Sequence, residues 1–146
     1  MYKNHQGFTL IELITVLVLM SVLGAYALPR MTDTGVQQVQ TGRDDIVAAL
    51  FSAQQLAMVR SSDIQLSTTA TQVDIRLDTN GNGIFLPAES VMVGGVQYPV
   101  TLPFGVTVDV ATFDFDRLGR TAASTLTVAK GSASAIITVS SSGYAN

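Results

Sequence analysis

The stretch Gly7-Phe8-Thr9-Leu10-Ile11-Glu12 opens an apolar run that continues through Leu28. Between Phe8 and Leu28 there are 21 residues with a single charge, that of Glu12. At a helical rise of ~1.5 Å per residue this run reaches about 30 Å, which is the thickness of the hydrocarbon layer of a bilayer. The sequence therefore predicts one membrane-spanning helix in contact with membrane lipid.

Glu12 needs an explanation, because a carboxylate within such a span costs roughly 2.5 to 3.5 kcal/mol at its centre and less near the interface. The seven residues before Phe8 contain Lys3 and no acid, and they end in Gly7. A short basic segment that ends in a small residue suits a peptidase site on the cytoplasmic side of the membrane. Cleavage between Gly7 and Phe8 would leave a new amine beside the apolar run.

Two other interpretations of this N-terminus remain open. Ala25-Tyr26-Ala27 resembles the cleavage site of an ordinary secretory signal peptide, although an apolar core of about 7 to 15 residues without an internal acid is usual there. The segment can also be an uncut signal anchor in which Glu12 is tolerated near the interface. The three interpretations predict mature chains that begin at Phe8, Leu28 and Met1 respectively.

Composition limits the function of the rest of the chain. The 146 residues carry 8 basic and 11 acidic side chains, so the net charge is −3 and nothing in it attracts a nucleic acid. There is no cysteine, and the single histidine lies before Gly7, so the usual zinc sites and nucleophile sets cannot be assembled. We expect one small domain that is not an enzyme and does not bind nucleic acid.

The period of the apolar residues changes along the remaining sequence. After Pro29, which breaks a helix locally, an apolar stripe at helical spacing predicts a second helix that ends at Ser61-Ser62-Asp63. From Asp63 onward the period is two, which predicts short strands. The simplest arrangement is an α+β domain in which the stripe packs across an antiparallel sheet. The predicted stripe is Val36, Val39, Ile46, Leu50, Ala53 and Ala57, and the predicted strands are 73–77, 91–96, 98–102, 106–110, 113–115, 126–128 and 136–139.

The sequence Gly-Phe-Thr-Leu-Ile-Glu, with its short basic leader and Pro29, resembles the class III leader of type IV pilins and type II secretion pseudopilins. The resemblance implies that a prepilin peptidase cuts between Gly7 and Phe8 and methylates Phe8. It also implies that Glu12 and Pro29 serve assembly with other pilin or pseudopilin subunits on an inner-membrane platform. The implied fold is an N-terminal hydrophobic helix, extended into a stalk, on a C-terminal antiparallel β domain.

Shorter motifs narrow this resemblance. Four segments are similar to pseudopilin H and FimT-type minor pilins: the stem 48–58, the loop 78–89, the segment 113–119 and the closing 139–144. Within that group the chain is most similar to minor pilins of the mannose-sensitive haemagglutinin pilus. This resemblance implies a role in adhesion. Where that group often has an alanine-arginine pair, this chain has Gln54-Gln55.

These observations give one expected organisation and location. We expect an inner-membrane, single-pass protein with its globular domain in the periplasm, assembled into a pilus or a pseudopilus; a membrane-anchored binding module is the alternative. The expected segments are a leader at 1–7, a transmembrane and assembly helix at 8–28, an amphipathic stem helix at 29–60 and a β-rich globular domain at 61–146.

The loop after the first predicted strand contains a possible metal site. Asp78, Asn80, Asn82 and Glu89 have the spacing of the side-chain ligands in a 12-residue calcium loop, Ile84 occupies the main-chain ligand position, and Gly83 the sharp turn. A strand precedes the loop, where a calcium-binding helix-loop-helix has a helix. Because asparagine and glycine also favour left-handed turns, the same composition suits a turn without an ion. The two interpretations are weak calcium binding and no cofactor.

Overall fold

The structure is a computed structural model that describes residues 9–27 and 34–146. The chain divides into two compact units, Met1–Thr34 and Gly35–Asn146. Three residues with predicted roles, Gly7, Phe8 and Pro29, lie outside the described residues. Their roles in processing and assembly stay predictions.

The described part of the first unit is one helix, α1 (Leu10–Ala27). The hydroxyl oxygen of Thr9 accepts a hydrogen bond from the backbone N–H of Glu12 at 3.3 Å, which satisfies one of the donors left without a partner in the first turn of a helix. Farther along, the Thr15 hydroxyl donates to the Ile11 carbonyl oxygen at 2.7 Å. The hydroxyl groups of Thr9 and Thr15 are therefore bonded to the backbone of this apolar helix.

The second unit begins with α2 (Thr34–Arg60), and Ser61 follows it in the left-handed conformation that commonly ends helices. The predicted stripe is buried from Val39 onward, but Val36 is 48% exposed. In the same first turn Gly35 lies near β9, since a Cβ added to it would lie 3.8 Å from the Ala133 Cβ. Gly42 is also buried against the sheet. The buried residues of α2 are Val39, Gly42, Ile46, Ala49, Leu50, Ala53 and Ala57.

Three antiparallel sheets follow. A four-stranded sheet has the order β5-β2-β1-β7, a three-stranded sheet has the order β6-β8-β9, and β3 and β4 form a separate hairpin. The strands are β1 (Ile64–Thr68), β2 (Gln72–Leu77), β3 (Met92–Val93), β4 (Val96–Gln97), β5 (Val100–Thr101), β6 (Thr107–Val108), β7 (Ala111–Phe115), β8 (Ser124–Lys130) and β9 (Ala133–Val139). One core joins the buried face of α2 to the inward side chains of the two larger sheets.

The α+β class with antiparallel sheets is confirmed. The strand predictions missed β1, which lies at the centre of its sheet and pairs with β2 and β7. They also treated 91–96 as one strand, whereas left-handed Gly94 and Gly95 turn the chain there to form the β3–β4 hairpin.

The C-terminal residues extend the three-stranded sheet on its β9 side. Thr138 and Asn146 exchange backbone hydrogen bonds of 2.9 and 3.1 Å, and Ala145 forms a bridge with Val139. The end of the chain thus covers part of the β9 edge, which would otherwise present unpaired backbone groups.

Candidate functional site

The exposed surface of α1 is the first candidate site. All of its leucine, isoleucine, valine and methionine side chains within the described residues are exposed, from 43% for Val16 to 75% for Leu10. Glu12 lies in the first turn of this helix and is exposed as well. An apolar surface on every side of a helix is far larger than the patches that soluble monomers leave in water. The helix therefore needs an apolar environment, and its one carboxylate needs a partner within it.

Among residues 9–27 and 34–146 no helix has both the length and the apolar character required to cross a bilayer. The span predicted from Phe8 to Leu28 includes residues at both ends that the structure does not describe.

The loop from Asp78 to Glu89, which we call the acidic loop, is the second candidate. Asp78 accepts backbone hydrogen bonds from three residues, at 2.7 Å from Gly81, 3.2 Å from Asn82 and 2.8 Å from Gly83. These bonds, with that of Gly83 first, lower the pKa of the Asp78 carboxyl. Asp78 therefore organises the turn through its ionised form.

Glu89 closes the other end of the acidic loop. One of its carboxylate oxygens accepts hydrogen bonds from the Thr79 hydroxyl at 2.8 Å and from the Asn80 side-chain amide at 3.4 Å. The other oxygen accepts from the Leu86 backbone N–H at 2.9 Å. The Leu86 bond and then the Thr79 bond lower the pKa of the Glu89 carboxyl. The two acids at the ends of the predicted calcium loop are thus brought into one turn.

The side-chain oxygens of the two predicted asparagine ligands are also occupied within the loop. The side-chain oxygens of Asn80 and Asn82 accept from the backbone N–H groups of Asn82 and Ile84, at 3.0 and 2.8 Å. In the part of the chain that the structure describes, no three His, Asp, Glu or Cys side chains are grouped so as to hold a metal ion. The geometry favours a self-bonded turn, and calcium binding stays a prediction.

A polar network fixes the acidic loop to β2. Asp74 is buried, and its carboxylate accepts from the Arg76 guanidinium at 2.7 Å and from the Ser90 hydroxyl at 2.8 Å. Arg76 also donates to the Phe85 carbonyl oxygen at 3.3 Å. Breaking a partly buried pair of this kind leaves an uncompensated charge, so the network holds the C-terminal side of the loop against the sheet.

Gln54 lies outside the buried stripe of α2, but it is half-buried and joins two distant loops to the helix. Its side-chain amide donates to the carbonyl oxygens of Gly119 and Ser142, at 3.1 and 2.8 Å. Gly143 must be glycine at this joint, because a Cβ there would collide with the Gly119 carbonyl oxygen. In the sequence, this joint is indicated by two glycines, Gly119 and Gly143, that each stand alone in a polar loop. The helical periodicity of α2 does not connect these glycines to Gln54.

Two grooves flank α2. A groove of about 350 Å³ on the β5 side contains Asp45 and Tyr98, where burial, followed by the nearby Asp44 charge, raises the pKa of the Asp45 carboxyl. The other groove, of about 380 Å³, lies between α2 and the last residues of the chain, and we call it the C-terminal groove. Its walls include Val47, Phe51 and Tyr144, and Asp44 lies at its border.

Comparison with known proteins places these features in context. Residues 2–28 match the family model for the prokaryotic N-terminal methylation motif. Over 59 residues the chain is 42% identical to the type IV narrow pilus major component PilA5 of Thermus thermophilus. That match covers 40% of this chain and spans about half, 51%, of the relative.

The fold is similar to that of a minor pilin. Two crystal structures of the type IV minor pilin FimU of Pseudomonas aeruginosa (strain PAO1) superpose with TM-scores of 0.53 and 0.50, at 14% and 15% sequence identity. The matches cover 75% and 73% of this chain and 87% and 90% of FimU. The chain thus resembles type IV pilins in its N-terminal methylation motif, in part of its sequence and in its fold.

Proposed function

We propose that the chain is a minor pilin or pseudopilin: a structural subunit that is anchored in the inner membrane with its globular domain in the periplasm and then assembles into a filament. The observation that carries the proposal is α1, an exposed apolar helix with a single carboxylate, which lies within the residues that match the motif for N-terminal methylation. Type IV pilins assemble with other pilin subunits, and lateral packing of such helices keeps their apolar surface out of water.

Maturation supplies the partner for Glu12 in this proposal. After a prepilin peptidase removes residues 1–7, the Phe8 amine of one subunit meets the Glu12 carboxylate of a neighbour in an apolar surrounding. Breaking an ion pair in such a setting typically costs about 3 to 5 kcal/mol. The pair would therefore fix the axial register of neighbouring helices on the assembly platform.

The N-terminus of the mature chain tests this proposal. We expect N-methylated Phe8 as its first residue, determined by mass spectrometry of the N-terminal peptide from membranes. A Gly7→Ile variant should keep the leader and remain as precursor, with Gly7→Ala as the small-residue control. A mature chain that begins at Leu28 or Met1 would contradict the proposal.

The type of filament is a finer question. The resemblance of the later motifs favours the mannose-sensitive haemagglutinin pilus and its adhesion, and a type II secretion pseudopilus is the alternative. Isolation of native filaments, followed by identification of their subunits by mass, distinguishes the two. A membrane-anchored binding module would instead keep Met1 and tolerate any replacement of Glu12.

A further inference from the structure

The acidic loop contains a covalently labile sequence. Asn80 and Asn82 are each followed directly by a glycine, Gly81 and Gly83. Asparagine is a thermolabile residue, because the backbone nitrogen of the next residue can attack its side-chain carbonyl carbon. A following glycine has no Cβ to shield that nitrogen. Residues 79–84 are exposed, so water reaches both pairs.

The reaction at such a pair needs no enzyme and no co-reactant other than water. A bond forms between the backbone nitrogen of the glycine and Cγ of the asparagine, while the bond from Cγ to Nδ2 breaks. The backbone proton passes to a base, and Nδ2 takes up a proton and leaves as ammonia. Water then opens the cyclic imide at one of its two carbonyl carbons. The product is aspartate or isoaspartate, with one additional negative charge.

One carboxylate holds both attacking nitrogens in the acidic loop. The N–H of Gly81 donates to Oδ1 of Asp78 at 2.7 Å, and the N–H of Gly83 donates to Oδ2 at 2.8 Å. Each nitrogen must leave this charge-assisted bond before it can attack an asparagine carbon. Loss of its proton there is also unfavourable, because two negative charges would be in contact. The carboxylate itself is a poor base, since these bonds, with that of Gly83 first, lower its pKa.

The two asparagines are not equivalent. The Oδ1 atoms of both accept a backbone hydrogen bond, that of Asn80 from Asn82 at 3.0 Å and that of Asn82 from Ile84 at 2.8 Å. Such a bond stabilises the charge that the oxygen gains when its carbon is attacked. Nδ2 of Asn80 also donates to the Glu89 carboxylate at 3.4 Å, whereas Nδ2 of Asn82 makes no hydrogen bond in the part of the chain that the structure describes. Ammonia therefore leaves more easily from Asn82.

We propose that Asn82 is a deamidation site, which the Asp78 carboxylate keeps closed while it holds the N–H of Gly83. When that bond opens, Asn82 converts to aspartate or isoaspartate before Asn80 does. The conversion adds a carboxylate to the acidic loop beside Asp78 and changes the surface charge of the domain with time. It needs only the loop and water, so it does not depend on filament assembly.

Ageing of the full-length chain in detergent tests this site. Wild type, Asp78→Ala and Asp109→Ala are kept in the same warm neutral buffer, and fragment masses of the peptide that carries the loop locate the deamidated residue. We expect Asn82 to deamidate about tenfold or more faster in Asp78→Ala than in wild type, because no charge-assisted bond holds the attacking nitrogen. Asp109→Ala is the matched control and should age like wild type. Its carboxylate also accepts a backbone N–H, from Thr127 at 2.7 Å, but it lies between β6 and β7.

Two further variants separate the Asp78 bonds from a general opening of the loop. Glu89→Ala removes the bonds at the other end of the loop and keeps those of Asp78, so Asn82 should age as in wild type. Asp78→Asn keeps the shape of the side chain without its charge, and Asn82 should again deamidate faster than in wild type. This variant replaces Asp78→Ala if the latter melts below the ageing temperature.

Each other outcome overturns the proposed site. Equal rates at Asn82 in wild type and in the Asp78 variants would show that the carboxylate does not protect it, and a slower rate in the variants would make Asp78 the base of the reaction. An equally fast Asn82 in Glu89→Ala would mean that any opening of the loop suffices. Deamidation of Asn80 before Asn82 would contradict the proposed order.

Discussion

Glu12 is the side chain on which the proposed assembly depends. It is the only charge between Phe8 and Leu28, and it lies in the first turn of α1 on a helix whose other large side chains are apolar and exposed. Its backbone N–H is satisfied locally by Thr9, so the carboxylate itself is not needed to begin the helix. The free energy that this charge costs in an apolar surrounding is recovered only through a partner of opposite charge.

Replacement of Glu12 by valine should leave leader removal unchanged and prevent entry into filaments. The proposed cleavage depends on Gly7, whereas the proposed register pair needs the carboxylate. The measurement is the ratio of mature chain in sheared filaments to mature chain in membranes. Thr15→Val is the control, because it removes a polar group of the same helix that bonds only to Ile11. Wild-type amounts of Glu12→Val in filaments would exclude the register pair.

Gly42 is a second residue with a specific role. From sequence it weakens the helix by about 1 kcal/mol relative to alanine. In the structure a Cβ at this position would lie 2.9 Å from the Val106 Cγ1, and Val106 is fully buried. Glycine therefore allows α2 to approach Val106, the residue before β6, closely. Helical periodicity alone does not reveal this contact.

Gly42→Ala should destabilise the folded chain by about 1 kcal/mol. Overpacking of a core costs about 1 to 3 kcal/mol, and the gain in helix propensity offsets up to about 1 kcal/mol of it. The expected fall in melting temperature is about 4 °C. Gly35→Ala is the matched control, because its Cβ would meet Ala133 at an ordinary 3.8 Å, so it should be neutral or stabilising. A Gly42→Ala chain more stable than wild type would show that Val106 moves freely.

At the scale of elements, the spacing of apolar residues predicted the helix and strand faces that pack on the core. It missed the features that depend on contacts between distant elements. The stripe of α2 and the strand β2 follow from regular spacing, since burial on one face repeats at 3.6 or 2 residues. β1 contains only two large apolar residues, Ile64 and Leu66, so its central place comes from pairing on both sides. Gln54 likewise acquires its role from two distant loops.

The acidic loop was predicted in part from its composition and depends in part on contacts that the sequence does not show. Its asparagines and glycines predicted a turn, and the structure places the predicted ligands within one network of hydrogen bonds. What the sequence could not supply is the orientation of the Asp78 and Glu89 oxygens toward backbone N–H groups. That orientation decides between a self-sufficient turn and an ion site, because the same oxygens would have to bind the cation.

Calcium should not change the melting temperature of the chain, because the loop is already satisfied by its own donors. The measurement is a melt with excess calcium and one with chelator. An Asp78→Ala, Glu89→Ala variant should melt lower in both, by the same amount. If calcium binds, mass action gives about 2.7 kcal/mol at 100 times the dissociation constant. A rise of that size in wild type, absent in the variant, would establish the ion site.

Acid should open the same loop. The pKa values of Asp78 and Glu89 are lowered in the folded chain, so the unfolded chain binds more protons as the pH falls. Their contribution is present above the ordinary carboxyl range and is lost as the pH drops through the lowered values. We expect faster amide exchange at Gly81 and Gly83, relative to the intrinsic rate, below about pH 4 than at pH 6. In an Asp78→Asn variant this pH dependence at Gly81 and Gly83 should largely disappear; unchanged protection in wild type would contradict the role of the carboxylates.

At the scale of the whole molecule, the two units divide the physical tasks. The helix α1 exposes apolar surface, whereas Gly35–Asn146 encloses its own core between α2 and the sheets. Assembly can therefore act on one unit while the other keeps its fold, provided that the second unit is stable by itself. The arrangement agrees with the proposed function, in which the subunit would leave a membrane for a filament without refolding.

A fragment of residues 34–146 should therefore fold on its own, as a soluble monomer without metal. Its core contains large, fully buried side chains from α2 and from both larger sheets, among them Leu50, Phe113 and Ile137. At this length a single core of that kind supports a cooperative domain. We expect one thermal transition with coincident loss of helix and tertiary signals in chelator. As a matched pair, Ile137→Ala should lower the midpoint, by about 2 to 5 kcal/mol in stability, whereas the neighbouring exposed Ile136→Ala should change it little. A broad, non-cooperative melt would mean that the second unit depends on residues 1–33 for its fold, and the independence of the two units would then be wrong.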